Sequence, residues 1–246
     1  MREFYIGYLP HAPAGIRRVV RLVVASLLIL AVAGAFLFAA SQHGFANSSF
    51  AFGHPLEFSG TVVAQPYPAL LVESSAAPPR FALLSAPGKH GADAFVSSWI
   101  GRSVTLRGTP IERDAVRMIE LDPSSLQLAT SAPLSSPVSE DLGIRTLRGE
   151  IADSKCFLGV MNPGEGKVHH DCAVRCLSGG QPTLFFAPDL PQPYRIMVLA
   201  GEEGRALPPA SFLSLVARPV EVRGHLYRMG NLVVLHVSPR EIRALP

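Results

Sequence analysis

The sequence predicts a mostly β protein in which one transmembrane helix precedes two tandem OB-like small β-barrels. The second barrel carries a long Cys/His loop between its strands 1 and 2. Three observations lead there: a 22-residue apolar run at positions 19–40, an internal repeat in the remainder, and the confinement of all three cysteines to residues 153–182.

Residues 1–18, "MREFYIGYLPHAPAGIRR", are aromatic and proline-bearing and read as a cytoplasmic N-terminal tail. Residues 19–40, "VVRLVVASLLILAVAGAFLFAA", are apolar except for Arg21 and Ser26. A helix rising about 1.5 Å per residue crosses a hydrocarbon core of about 30 Å in roughly 20 residues. The small residues of "FAASQ" offer a signal-peptide cleavage site, but the run exceeds the roughly 7–15 apolar residues of a signal peptide, so it reads as an uncleaved anchor. Arg17, Arg18 and Arg21 cluster at its front edge, and the juxtamembrane linker that follows, 41–54, carries no Lys or Arg. The positive-inside rule then puts the N-terminus in the cytoplasm and the C-terminal domains in the periplasm of a bacterial inner-membrane protein. The net charge of +3 comes with no basic stripe beyond the membrane flank, which argues against nucleic-acid binding.

The repeat sets the architecture. "RSVTLRGTPIERDAVRMIELDPSSL" (102–126) aligns without a gap on "RPVEVRGHLYRMGNLVVLHVSPREI" (218–242), an offset of 116. Gly108 falls on Gly224 and Pro123 on Pro239. At the same offset "FALLSAPG" (81–88) falls on "MVLAGEEG" (197–204), whereas "FSGTVVAQ" (58–65) matches "LRGEIADS" (147–154) at only 89. The second copy thus holds 27 extra residues near its start. Alternating apolar stretches such as "VTLRG" and "VRMIEL" predict strands. "ADAFVSSWI" and "PASFLSLVA" predict one short helix each, between the third and fourth strands. That order is the order of an OB-like barrel. The first domain is read as 55–130, a Ser/Pro linker as 131–143, and the second domain as 144–246 with its loop at 153–182.

The loop "DSKCFLGVMNPGEGKVHHDCAVRCLSGGQP" is where chemistry is expected. Cys172 and Cys176 stand one helical turn apart, with Asp171 as the expected N-cap and Gly179–Gly180 as the expected helix end. His169, three residues before Cys172, falls on the same stripe, and His170 points about 100° away. Cys156 comes from the other limb. Cys156, His169, Cys172 and Cys176 together form a composition suited to zinc, and Met161 adds a soft donor that suits copper as well. Two other readings remain open. A disulfide from Cys156 to Cys172 or Cys176 would make the loop a structural staple, and a thiol activated by Lys155 or the histidines would make it a thiol-redox site. "PGEGK" lacks the spacing of a phosphate loop. The first copy has no Cys or His in the corresponding stretch and reads as scaffold.

The loop resembles a motif of poorly characterised membrane-anchored bacterial proteins, which runs D-S-K-C, G-x-M-x-P-G-x-G-K-x-H, C-A-x-x-C and G-G-x-P. Asp153 to Cys156, Gly159, Met161, Pro163, Gly164, Gly166, Lys167, His169, Cys172, Ala173, Cys176, Gly179, Gly180 and Pro182 carry it. The resemblance implies a shared site, with His169 rather than His170 as its histidine. It names no reaction; the function expected of the chain is that of an accessory, electron-transfer or metal-handling partner of a membrane oxidoreductase rather than an enzyme in its own right.

Overall fold

The computed structural model describes residues 11–42, 47–74 and 77–245, so the first ten residues of the expected tail and positions 43–46 lie outside it. Helix α1 spans Ala14–Ser41, five residues ahead of the expected start, and follows Pro13. Its 28 residues include an 18-residue window of mean hydropathy 2.8, and it is the one described helix long and apolar enough to cross a membrane.

The rest of the chain is β-rich. After the short strand β1 (Ser48–Phe50), which lies within the stretch expected as linker, come β2 (Leu56–Val63), β3 (Ala69–Ser74), β4 (Ala77–Ser85), β5 (Ser103–Arg113) and β6 (Val116–Leu121). Strands β2 to β6 close into a barrel with the order β5-β2-β3-β4-β6, because β6 also pairs with β5. Only the β4–β6 pairing is parallel. The helix expected between the third and fourth strands is α2 (Asp93–Val96), continued by a 3₁₀ turn to Trp99.

The two-residue strand β7 (Gln127–Leu128) leads towards β8 (Glu140–Asp153), which begins inside the expected linker. With α3 (His170–Ser178), β9 (Thr183–Phe186), β10 (Ile196–Gly201), β11 (Pro219–Met229), β12 (Leu232–Val237) and β13 (Ile242–Ala244), the second half repeats the plan. Its barrel closes in the order β12-β10-β9-β8-β11, again with one parallel pairing, β10 with β12. The architecture is therefore the two small closed barrels that the sequence predicts. "PASFLSLVA" departs from expectation: it forms two 3₁₀ turns, Pro209–Ser211 and Leu213–Leu215, interrupted at Phe212 (φ −141°).

Paired positions link the two barrels. Gly60 opposite Val104 has its counterpart in Gly149 opposite Val220, and Ile111 opposite Met118 in Tyr227 opposite Val234. These keep the offsets of 89 and 116. The glycines stand at close backbone crossings: a Cβ on Gly60 would lie 2.3 Å from the Leu71 carbonyl oxygen, and one on Gly149 2.1 Å from that of Phe186. At the fourth strand, Gly108 and Gly224 stand likewise against the carbonyls of Glu120 and His236. The third strand corrects the sequence alignment by one residue. Leu83 pairs with Met118 and Val198 with Val234, so Leu83 corresponds to Val198, an offset of 115. The extra stretch in the second barrel is accordingly 26 residues between strands 1 and 2, not 27.

The slip is visible in the packing. Phe81 and Leu83, like Ile196, Val198 and Ala200, belong to an apolar cluster drawn from both barrels. Ala82 and Leu84 belong to the interior of the first barrel, and Met197 and Leu199 to that of the second. Strands β4 and β10 are thus buried on both faces, and shifting either by one residue would exchange the two sets. The Asn231 side chain adds polar pairing at this seam: its Oδ1 accepts from the Phe81 N–H (2.7 Å) and its Nδ2 donates to the Phe81 carbonyl (3.1 Å). The barrels form one compact unit, separate from α1.

Candidate metal centre

The long loop follows β8, as expected, and is threaded along the seam between the barrels. At the end of β8, Asp153 accepts the Cys156 N–H through Oδ1 (2.9 Å), which opens a wide helical turn over Cys156–Val160. Arg113 of β5 holds this turn from the first barrel. Its Nη1 donates to the Phe157 carbonyl (3.0 Å), and the guanidinium stacks over the Phe157 ring at 3.9 Å. The chain then returns through a 3₁₀ turn, Lys167–His169, into α3. The expected cap is corrected here: α3 begins at His170, so Asp171 lies in its first turn, fully exposed and bonded to His170 Nδ1 (2.9 Å). A carboxylate there still favours the helix through its dipole. Gly179 and Gly180 end α3 as anticipated, Gly180 with φ 89°.

These elements bring the three cysteines together. Cys156 Sγ lies 3.8 Å from Cys172 Sγ and 3.9 Å from Cys176 Sγ, and all three sulfurs lie within 4.8 Å of one another. None forms a disulfide with another. Three thiolates about 2.3 Å from a common ion stand about 3.8 Å apart if the ion is tetrahedral and about 4.0 Å apart if it is planar. The two separations from Cys156, 3.8 and 3.9 Å, fall in that interval.

His169 takes a different place from the one its helical stripe predicts. It is buried, its Nε2 lies 2.7 Å from Asp153 Oδ2, and with Asp153 and Cys156 it makes a second close group beside the thiols. Its Nδ1 is buried and has no hydrogen-bond partner. The cause is the 3₁₀ turn before α3, which winds about 3.0 residues per turn and takes His169 out of phase with the cysteines. Asp153 therefore organises both limbs of the loop, through the Cys156 N–H and the His169 ring. Met161 remains 39% exposed.

The position facing Cys172 and Cys176 is filled from the first barrel. Lys89 Nζ lies 2.8 Å from Cys172 Sγ and 3.7 Å from Cys176 Sγ. Lys89 sits on the loop after β4, and the second barrel clamps that loop on both sides. Lys155 Nζ, buried, donates to the carbonyls of Ala86 (2.9 Å) and Gly88 (2.7 Å) and pairs with Glu120 (2.7 Å). Gly91 N–H donates to the Gly179 carbonyl (2.9 Å), and Gln181 Nε2 to the His90 carbonyl (2.7 Å). The backbones touch so closely that a Cβ on Gly179 would stand 1.9 Å from the Lys89 carbonyl oxygen. The first barrel, expected as scaffold, thus contributes Lys89, Glu120 and Arg113. Lys155 anchors the opposite loop rather than activating Cys156.

The electrostatics of the trio are asymmetric. A hydrogen bond to Cys176, then burial, then the Asp153 charge push the Cys156 thiol well up. Cys176 is held down, first by accepting that hydrogen bond, with Lys89 contributing. The Lys89 ammonium is raised chiefly by its bond to Cys172. Sequence reading missed Lys89, although composition carried a signal. The chain has three lysines against nineteen arginines, and Lys89 and Lys155 both belong to this seam. No family model, curated protein or solved structure matches the chain.

Proposed function

We propose that this chain is a single-pass inner-membrane protein whose barrels face the periplasm and whose three-thiolate centre binds one soft metal ion. In this reading the protein handles that ion as an accessory of a membrane oxidoreductase and performs no turnover of its own. The observation that carries it is the sulfur spacing of 3.8 and 3.9 Å across two limbs of a rigidly held loop. Soft thiolate donors favour Cu(I) and zinc over hard cations. A common origin of the two barrels, with the loop gained by the second, explains why only one of them carries the cysteines.

Metal analysis of the anaerobically purified full chain tests the reading. About one metal per chain is expected, Cys156→Ser, Cys172→Ser and Cys176→Ser should each abolish it, and three thiols should alkylate once the metal is chelated. The asymmetry between Cys156 and Cys176 favours a second reading, a thiol-redox pair with Cys176 as the more nucleophilic sulfur. That reading expects no metal and a reversible change of two thiols between oxidised and reduced protein. Metal-free protein with a single reactive thiol that mild reductant does not reversibly change to three would exclude both and leave a structural disulfide.

A further inference from the structure

We infer that the three-thiolate centre is built for a monovalent soft cation, Cu(I), and that Lys89 of the first barrel sets this preference. The inference rests on the metal-thiolate reading above and narrows it to one chemical class.

The donor count comes first. Three thiols converge, and no further Cys, His, Asp or Glu among the described residues joins the three as a group. His169, the expected fourth ligand, groups with Asp153 and Cys156 rather than with all three sulfurs. Its Nε2 is on Asp153 and its buried Nδ1 is without a partner, so a nitrogen in the metal shell is the outcome that decides the donor count. Zinc in a structural site takes four donors. Cu(I), which prefers soft thiolates, is satisfied by three of them arranged around it.

The charge count points the same way. Three thiolates carry −3, so the filled site carries −2 with Cu(I) and −1 with Zn(II). Lys89 Nζ, 2.8 Å from Cys172 Sγ, has three donors, no acceptor and a full positive charge. A protonated ammonium cannot serve as a fourth ligand, but it stabilises the more negative filled site twice as strongly. Lys89 is solvent-exposed, so the water-like end of the dielectric range applies, worth roughly fivefold in affinity per unit of charge. The backbone on either side of it is held at Gly88 by Lys155, at His90 by Gln181 and at Gly91 by Gly179, so only its own side chain remains to be ordered at binding.

The experiment uses the full chain in detergent, reduced and anaerobic. Cu(I) is titrated against a chromophoric copper(I) chelator and Zn(II) against a chromophoric zinc chelator, in the wild type, Lys89→Gln and Lys89→Arg. Because the two filled sites differ by one unit of charge whatever the protonation of the empty site, Lys89→Gln should lower the preference for Cu(I) over Zn(II) roughly fivefold. Lys89→Arg keeps the charge and should keep the ratio. X-ray absorption of the Cu(I) form should show three sulfur neighbours and no nitrogen. Equal losses of both metals in Lys89→Gln, a matching loss of preference in Lys89→Arg, or a nitrogen in the copper shell would overturn the inference while leaving the thiolate centre in place. A wild type that takes up neither metal would instead remove the underlying reading.

Discussion

Replacing Lys155 with Met tests whether the seam between the barrels holds the centre together. The Lys155 side chain is 5% exposed and its Glu120 partner 25%. All its donors are engaged, with the carbonyls of Ala86 and Gly88 and with that carboxylate. Met fills much the same volume, so the cost is polar rather than steric. Two carbonyls lose a charged donor and a partly buried carboxylate loses its cation, a class of change that costs about 3–5 kcal/mol. For a cooperative unit of this size, 1 kcal/mol moves the melting midpoint by about 2–4 °C, which gives a fall of roughly 6–20 °C. Trp99, the only tryptophan, packs against the interior of the first barrel and reports the transition by fluorescence. Most of the loss should come from the stranded carboxylate, so Lys155→Met with Glu120→Leu should melt above Lys155→Met alone. A Lys155→Met midpoint within about 2 °C of the wild type, or a double variant no better than the single one, would refute the reasoning.

Two further outcomes are expected. Burial, helped by the neighbouring His225, holds the His236 imidazole below its ordinary value. A base with a depressed folded-state pKa adds stability above its unfolded value of about 6.5, and that stability is lost as pH falls toward the folded value. The melting midpoint should therefore drop on acidification from about pH 7 to about pH 5, and His236→Phe should flatten that drop; equal slopes would count against it. Arg17, Arg18 and Arg21 before α1, with no Lys or Arg in 41–54, place the C-terminus outside the cytoplasm in our proposal. A periplasm-dependent phosphatase fused after Pro246 should be active, and activity only from a cytoplasmic reporter would reverse the orientation.

The barrels were legible because their fourth strands alternate: "VTLRG" and "VEVRG" each put one face inward and leave the other at least partly exposed. The third strands misled by one residue because both of their faces are covered. An uninterrupted apolar run such as "FALLS" or "IMVLAG" contains nothing that distinguishes one register from the next. The cysteine loop was legible by concentration, with three thiols in one stretch and a helical repeat setting two of them on one face. His169 stands in a close group with Asp153 and Cys156 rather than in the trio of sulfurs, because the backbone tightens into a 3₁₀ turn just before α3, which the sequence does not show. Lys89 was missed for a different reason. It lies 83 positions from Cys172, and only the packing of one barrel on the other brings it there.

Because β4 and β10 are covered on both faces, the second barrel is not a portable module. Residues 140–245 expressed alone would present Phe157, Leu158, Ile196, Val198, Leu232 and Val234 to water, and the first barrel alone would present Phe81, Leu83, Ile111 and Met118. The two halves are therefore bound to a shared evolutionary fate. A side chain that grows on one must be answered by one that shrinks on the other, and neither half can be borrowed, fused elsewhere or lost while its neighbour stays folded.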